Sequence, residues 1–494
     1  MTPDEPGDAP PWEGLAAGID GEVVLPVSPL YAQLTRPFNA RFHQVRPRAL
    51  VRCATPEDVA ETIAFLTRHG LESATRSGGH CFAGHSSTRG VVVDVTPMAA
   101  VTVSGDVASV GAGARLGAVY GALDVHGLAI PAGTCPPVGI AGLALGGGLG
   151  VLGRTYGVTS DRLLRAQVVL ADGRIVDCDE DRHADLFWAL RGAGAGNFGV
   201  VTSLDLRTVP APEVTNVHAT WPSRLAAAVA EAWQRWAPHG PDELAASLKV
   251  TATGEVDGPA SVDLYAALQA TESEAAELLD ELVRRVGADP VSASLRLMSF
   301  PETRRFWAQL GLAEDAAAAG PPPEVTQPQH LFARSEFFRR HLPAEAIAEL
   351  VATFTGGRTP GESRELDFMP WGGAYNRVPA DATAFVHRAE LFQLKHSAVV
   401  DAPGTPVAAA AAHDWVNRSW ATVHPWGSGR VFQNFADPDL ENWAEAYYGA
   451  NLDRLVRVKA RYDPGNVFRF GQSLRATPVV RERRGRRSTS SDPR

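Results

Sequence analysis

Cysteine is scarce in this 494-residue chain: Cys53, Cys81, Cys135 and Cys178 are all it holds, and none forms a Cys-x-x-Cys pair. A disulfide-rich framework is thereby excluded, no metal site is expected, and a reducing, cytoplasmic setting is the simpler reading. Long apolar runs are missing too. Nothing approaches the roughly 18 consecutive apolar residues that span a bilayer, so no membrane partner is expected. The opening MTPDEPGDAPPWEG is acidic and proline-rich and lacks the basic region and apolar stretch of a secretory leader. Basic charge is in deficit, with 46 Lys and Arg against 56 Asp and Glu, a net −10. Nucleic-acid binding draws on counterions displaced by basic patches, so no nucleic-acid partner is expected either. The exception, seven Arg against two acids from Arg475 onward, reads as a disordered tail over 475–494.

Apolar residues (45%) and glycine (47) are plentiful. At roughly 150 residues per domain the chain has room for two large domains with substantial cores. Residues 1–44 show no clear periodicity, and regular structure is expected to begin at Leu50-Val51-Arg52-Cys53. Thr55-Pro56-Glu57-Asp58, before an apolar-periodic run ending at Gly70, predicts a capped helix after a strand. Short β-rich runs then alternate with glycine turns to about Pro210, with a hairpin turn at Ala171-Asp172-Gly173. After Pro210-Ala211-Pro212 the texture changes to longer strands (244–253, 262–268) and Ala/Glu-rich helices (224–236, 272–286), which places a domain boundary there. Ala316 to Glu324 reads as a surface loop, and a helix is predicted from about Glu441 to Arg461.

Two stretches match Gly-x-Gly-x-x-Gly, at 148–153 and 194–199. A Rossmann dinucleotide site needs strand, glycine turn and helix in that order, because the pyrophosphate sits on a helix N-terminus. The first match is followed by Arg154-Thr155-Tyr156-Gly157; the second follows a helical run and enters a strand. Neither has the required context. Glycine clusters at 78–79, 139–150 and 192–199 are better read as letting backbone approach one large, flat, phosphate-bearing ligand.

Arg76-Ser77-Gly78-Gly79-His80, then Gly133-Thr134-Cys135-Pro136-Pro137-Val138-Gly139-Ile140-Ala141-Gly142 running into Gly146-Gly147-Gly148, resembles the berberine bridge enzyme-like flavoproteins of the vanillyl-alcohol oxidase superfamily. The likeness continues through Asp185 to Gly192, Gly196 to Thr202, Tyr447-Tyr448-Gly449 and Tyr462 to Phe468, spanning about 45–474. It implies FAD attached twice, through His80 to the 8α-methyl and through Cys135 to C6 of the isoalloxazine. Imidazole and thiolate are nucleophiles able to add to an electron-poor ring. The resemblance also places at the cofactor Arg76, Ser77, Gly78, Gly79, Cys81, Gly84, His85 and Ser86. From the second motif it adds Gly133, Thr134, Val138, Gly139 and Gly142. The glycine run contributes Gly147, Gly148, Gly150, Tyr156 and Gly157, and later segments contribute Gly199, Val201, Asn434 and Asn466. Valine at 138, where the family gates oxygen, is similar to the oxidases and implies O2 as acceptor and hydrogen peroxide as co-product.

The family's usual proton acceptors are absent. Its tyrosine positions fall at Leu149, at Phe435 within Phe432-Gln433-Asn434-Phe435 and near Met369, and its acidic base falls near Leu394. None of these side chains takes a proton. Strand alternation sets Phe392, Leu394 and His396 on one face, so His396 is the first candidate base, with Tyr375 second; Gln393 and Lys395 then point the other way. An apolar pocket suits a bulky aromatic, terpenoid or polyketide-like metabolite.

The expected fold is α+β: a two-domain PCMH-type FAD-binding fold, with residues 45–211 carrying FAD, an antiparallel-sheet substrate domain backed by helices over 212–430, and a segment over 431–474 returning to the FAD domain. The expected chemistry is FAD-dependent oxidation, dehydrogenation or oxidative cyclisation of a small molecule by a monomer or homodimer. The alternatives are a sugar or oligosaccharide alcohol oxidase, a dehydrogenase handing electrons to another carrier, and a flavoprotein that sequesters a metabolite without turnover.

Overall fold

A computed structural model describes residues 10–309, 329–402 and 404–476. The loop anticipated over 316–324 and the tail beyond 476 lie outside the described residues.

The first sheet has four strands in the order Glu22–Val24, Ala49–Arg52, Val91–Asp94, Ser73–Arg76, the last three parallel. Helix Pro56–Arg68 makes the crossover, and its start is written locally: Thr55 and Asp58 close a reciprocal capping box with proline in the first turn. A second, antiparallel sheet runs Val101–Ser104, Val107–Gly111, Val200–Arg207, Leu163–Val169, Ile175–Cys178. Its last hairpin turns at Gly173, whose φ of 82° suits the glycine anticipated there.

The third sheet has seven antiparallel strands, ordered Ser292–Ser299, Glu213–Pro222, Ala260–Leu268, Leu244–Ala252, Glu362–Pro370, Phe392–Asp401, Gln329–Phe338. One face packs on helices Ala226–Trp236, Glu272–Val286, Ala344–Thr355 and Pro406–Val423 through Leu248, Val250, Leu366, Phe368, Leu394 and Ala398. Side chains alternate across a strand, so Ser247, Lys249, Glu365, Asp367, Lys395 and Ser397 project from the opposite face.

A separate apolar core joins the two smaller sheets and takes in Val431, Tyr447, Tyr448, Leu455, Tyr462 and Phe468 from far along the chain. The return of this segment is locked by Lys459, whose buried ammonium donates to Asn197 O at 2.6 Å, Phe468 O at 2.7 Å and Asp463 Oδ2 at 2.7 Å. An unpaired charge could not be buried there; three acceptors make it tolerable.

Two expectations are corrected. The amino-terminal segment is structured from Trp12: helix Trp12–Ala17 buries Leu15, and Glu22–Val24 pairs with Ala49–Arg52. Elements this short contain too few residues to display a period. The helix expected over 441–461 is broken into Trp443–Tyr448 and Leu452–Tyr462. Gly449 separates them with a φ of 48°, where a Cβ would strike the Arg430 guanidinium.

Candidate active site

A cavity of about 550 Å³ lies between the glycine-rich loops and the polar face of the seven-stranded sheet. Loops 77–86, 133–150 and 192–199 contribute to one wall. They meet through backbone: Gly78 and Gly139 approach so closely that a Cβ on either would overlap the other's main chain. The second loop is held from behind, where Leu116 N donates to Val138 O and Gly117 N to Pro136 O, both at 2.9 Å. Tyr120 Oη donates to Gly133 O at 2.5 Å.

His80 and Cys135 both line this cavity. The His80 ring stacks on Phe38 with centroids 4.5 Å apart. Burial, aided by the Arg115 cation, pushes the imidazole down to about 4, so it is neutral and keeps a lone pair at pH 7. Burial raises the neighbouring Cys81 thiol against the backbone amides of Ala83, Gly84, His85 and Ser86, which favour its anion. Ser86 Oγ is buried without a hydrogen-bond partner. Ser77, Gly79, His85, Thr134, Val138, Gly142, Gly150, Gly199, Val201 and Asn434 also line the cavity. A close-approach backbone cradle, clustered amides, an unpaired hydroxyl and two nucleophiles form a donor set that fits FAD.

Other residues anticipated at the cofactor are not among those lining the cavity and brace the segments around it. Arg76 donates to Ser86 O (3.0 Å), Leu34 O (2.8 Å) and Ser87 Oγ (2.7 Å), bracing the His80 loop. Gly84 makes room for Phe42, Gly147 for Phe385, Gly148 for Thr159 and Gly157 for Asp161. Tyr156 packs with Val151 and Val209. Asn466, at a φ of 50°, accepts from Ala476 N at 2.9 Å. Each serves the loops through packing that a motif does not reveal.

The opposite wall corrects the choice of base. Phe392, Leu394 and His396 do share a face, but it is the helix-packed one: His396 Nδ1 pairs with Ser419 Oγ at 2.8 Å on helix Pro406–Val423, and burial pushes its imidazole down to about 3. His396 is therefore remote from the cavity. The apolar neighbours that defined its face mark the core, and the strand's polar positions mark the cavity. Tyr375 reaches the cavity only as a prop for the glycine run, with its hydroxyl on Gly150 O at 3.3 Å and its ring stacked on Trp371 at 4.2 Å. Burial raises its phenol, which disfavours the anion a base would need.

What the sheet presents instead is a closed set of ions. Lys249 Nζ lies 3.0 Å from Glu365 Oε2; Lys395 Nζ lies 3.3 Å from Glu365 Oε1 and 3.5 Å from Asp367 Oδ2; Ser247 Oγ donates to Asp367 Oδ1. These residues line the cavity, and Lys395 also sits 5.3 Å from the centre of the Phe435 ring. The carboxylates raise both lysines despite burial, and the lysines hold Glu365 down at about 2. Leu149, Met369, Phe432 and Phe435 complete an apolar rim. The signal for the ionic set was available in polar residues at alternate positions of three strands, Ser247/Lys249, Glu365/Asp367 and Gln393/Lys395/Ser397. His396, a polar residue among the buried positions, obscured it.

Residues 47–179 match the FAD binding domain family model, and residues 431–475 match the model described as Berberine and berberine like. The FAD-linked oxidoreductase YgaK of Bacillus subtilis is 30% identical over 471 residues, covering 92% of this chain and 97% of that protein. The chitooligosaccharide oxidase of Gibberella zeae is 32% identical over 87% of each chain. The solved structure of Physcomitrella patens BBE-like 1 superposes with a TM-score of 0.84 at 26% identity, covering 94% of this chain and 99% of that one.

The fold and site thus define an FAD-dependent oxidoreductase that acts on a small molecule. This chain belongs to the berberine bridge enzyme-like FAD-linked oxidoreductases of the PCMH-type fold. Among the described residues no helix is long and apolar enough to cross a membrane.

Proposed function

We propose that the protein is an oxidase that removes a hydride from a small, largely apolar metabolite, uses FAD held by both His80 and Cys135, and returns the electrons to O2 as hydrogen peroxide. Residues 45–211 with 431–474 would hold the cofactor, and 212–430 would cover it. The observation that carries this reading is that His80, Cys135 and the polar face of the seven-stranded sheet line one cavity. Bound FAD supplies the two-electron acceptor. His80, neutral at physiological pH, offers its ring nitrogen as one tether, and the Cys135 sulfur offers the other. Val138, which lines the cavity, would admit oxygen to the flavin.

Lys395 remains an ammonium, so its part is to hold and orient the substrate. A carbon activated by the substrate's own phenol or amine suits such a site, because internal electron release stabilises the developing cation without help from an enzyme base. The Leu149, Met369 and Phe435 rim supports an aromatic or terpenoid body over a sugar. A second reading, oxidation of an oligosaccharide alcohol, is supported by the chitooligosaccharide oxidase relative and by the ionic patch.

The test is acid precipitation of the yellow protein, with His80→Ala, Cys135→Ala and the double variant beside it. Colour is expected to stay in the pellet for the parent and both single variants and to become extractable only from the double variant. Full release from the parent overturns the double tether. Peroxide release during screens of aromatic alcohols and chitooligosaccharides then decides between the substrate readings.

A further inference from the structure

The loop that carries Cys135 is gripped at three carbonyls by one helix. Helix Leu116–Asp124 donates Leu116 N to Val138 O and Gly117 N to Pro136 O from its first turn, and Tyr120 Oη to Gly133 O one turn on. The three acceptors bracket Cys135 on both sides. A Cβ at Gly117 would sit 3.2 Å from Pro136 Cβ, so helix and loop lie in direct contact. Burial raises the Tyr120 phenol, which keeps its proton and donates it to the bond.

That helix is held in turn by a segment nearly two hundred residues further along the chain. Helix Phe300–Ala308 follows the outer strand Ser292–Ser299 of the seven-stranded sheet and projects Arg304 onto Leu116–Asp124. Arg304 Nη2 lies 2.5 Å and 2.6 Å from the two Asp124 carboxylate oxygens, and its guanidinium carbon lies 4.1 Å from the centre of the Tyr120 ring. Arg304 is 7% exposed, and its Nε has no hydrogen-bond partner. Burying a guanidinium costs free energy that the carboxylate and the ring face must offset, so this contact is fixed in place as a surface ion pair is not. The cation therefore bears on the ring whose hydroxyl holds Gly133. The His80 loop is braced separately, by Arg76.

We propose that Arg304 and Tyr120 are positioning residues for Cys135. Arg304 seats Tyr120 on Gly133 O, which fixes the sulfur for its bond to the flavin, while the His80 bond forms without their help. This rests on the double tether of the oxidase reading. Attachment replaces the Cys135 S–H and one ring C–H by an S–C bond, and the two hydrogens leave on O2 as hydrogen peroxide.

The test places Arg304→Met and Tyr120→Phe, separately, in His80→Ala, where only Cys135 can retain flavin, and in Cys135→Ala, where only His80 can. The share of bound flavin that stays in the acid pellet is measured on freshly purified protein. In His80→Ala both substitutions are expected to lower it at least about threefold, because displacing a reacting atom slows bond formation steeply. In Cys135→Ala both should leave it unchanged. Equal loss in the two backgrounds would make the pair general struts, no loss in either would make them dispensable, and each result overturns the proposal. Tyr120→Phe removes one hydroxyl and keeps the ring, so it reads the Gly133 bond even if Arg304→Met does not fold. If His80→Ala alone holds no acid-stable flavin, the double tether fails instead, and alkylation of Cys135 by iodoacetamide, followed by the mass of its peptide, decides the positioning. A rate about threefold or more above the parent in both variants supports it, and an unchanged rate overturns it.

Discussion

The two walls of the cavity are made differently. The loop wall is built from main chain: glycines bring loops 77–86 and 133–150 into contact, and the His80 and Cys135 side chains ride on that contact. The sheet wall is built from side chains on a regular frame, where register alone decides that Lys249, Asp367 and Lys395 stand abreast. Backbone-built sites demand particular residues at particular places and leave motifs. Side-chain-built sites demand only parity, and a chain can fill them in many ways.

The largest expected effect lies behind the walls. His387, between Phe337 and Gln433, and His396, on the helix-packed face, are both buried with imidazoles pushed down to about 3, burial being the leading cause. The unfolded chain takes up these protons near pH 6.5, before the folded one does. Stability is therefore full above about pH 6.5 and falls as pH drops towards 4, by about 1.4 kcal/mol per histidine per pH unit. Glu365, held down at about 2, acts in the same direction below its ordinary range. Urea midpoints from pH 8 to 4.5 should show a slope approaching two protons; a flat profile would mean the imidazoles are hydrated.

Gly139→Ala should follow, at about 3 kcal/mol or more, because the added Cβ meets Gly78 backbone that has nowhere to move. Thermal melts and flavin content should fall together. If colour is kept at a lowered Tm, the cradle tolerates separation of its loops and the contrast between the walls weakens.

Lys395→Met removes the cation that faces Asp367 and should cost about 2–3 kcal/mol along with most turnover. His396→Gln, one residue away, should cost about 1 kcal/mol through its Ser419 bond and leave kcat unchanged. Comparing kcat and Tm for this pair sharpens the parity argument most directly: equal loss of kcat in both would place His396 in the chemistry after all.

This contrast also explains what could be read in advance. The capped helix at Thr55, the hairpin at Gly173 and the helix Glu272–Val286 carry their signals within a few residues. The loop motifs brought His80 and Cys135 into view for the same reason. The base was misplaced because alternation says which residues share a face but not which face is buried, and a polar His396 among Leu394 and Ala398 inverted the answer. Gly449, which splits a helix, and Lys459, whose acceptors lie 262 residues upstream at Asn197 and close by at Phe468, depend on distant partners that no local window contains.

The Lys459 lock has a consequence for how the protein is made. Asn434, Tyr447, Tyr448, Phe470 and Gln472 line the same cavity as His80, and Lys459 fastens their segment to the loop at Asn197. During synthesis the loops that carry His80 and Cys135 emerge from the ribosome hundreds of residues before the wall that closes over them. The cavity cannot be whole until residue 472 has left the exit tunnel, so capture of the cofactor waits on synthesis of this segment, and a nascent chain stalled in the sheet region would expose a half-built cradle.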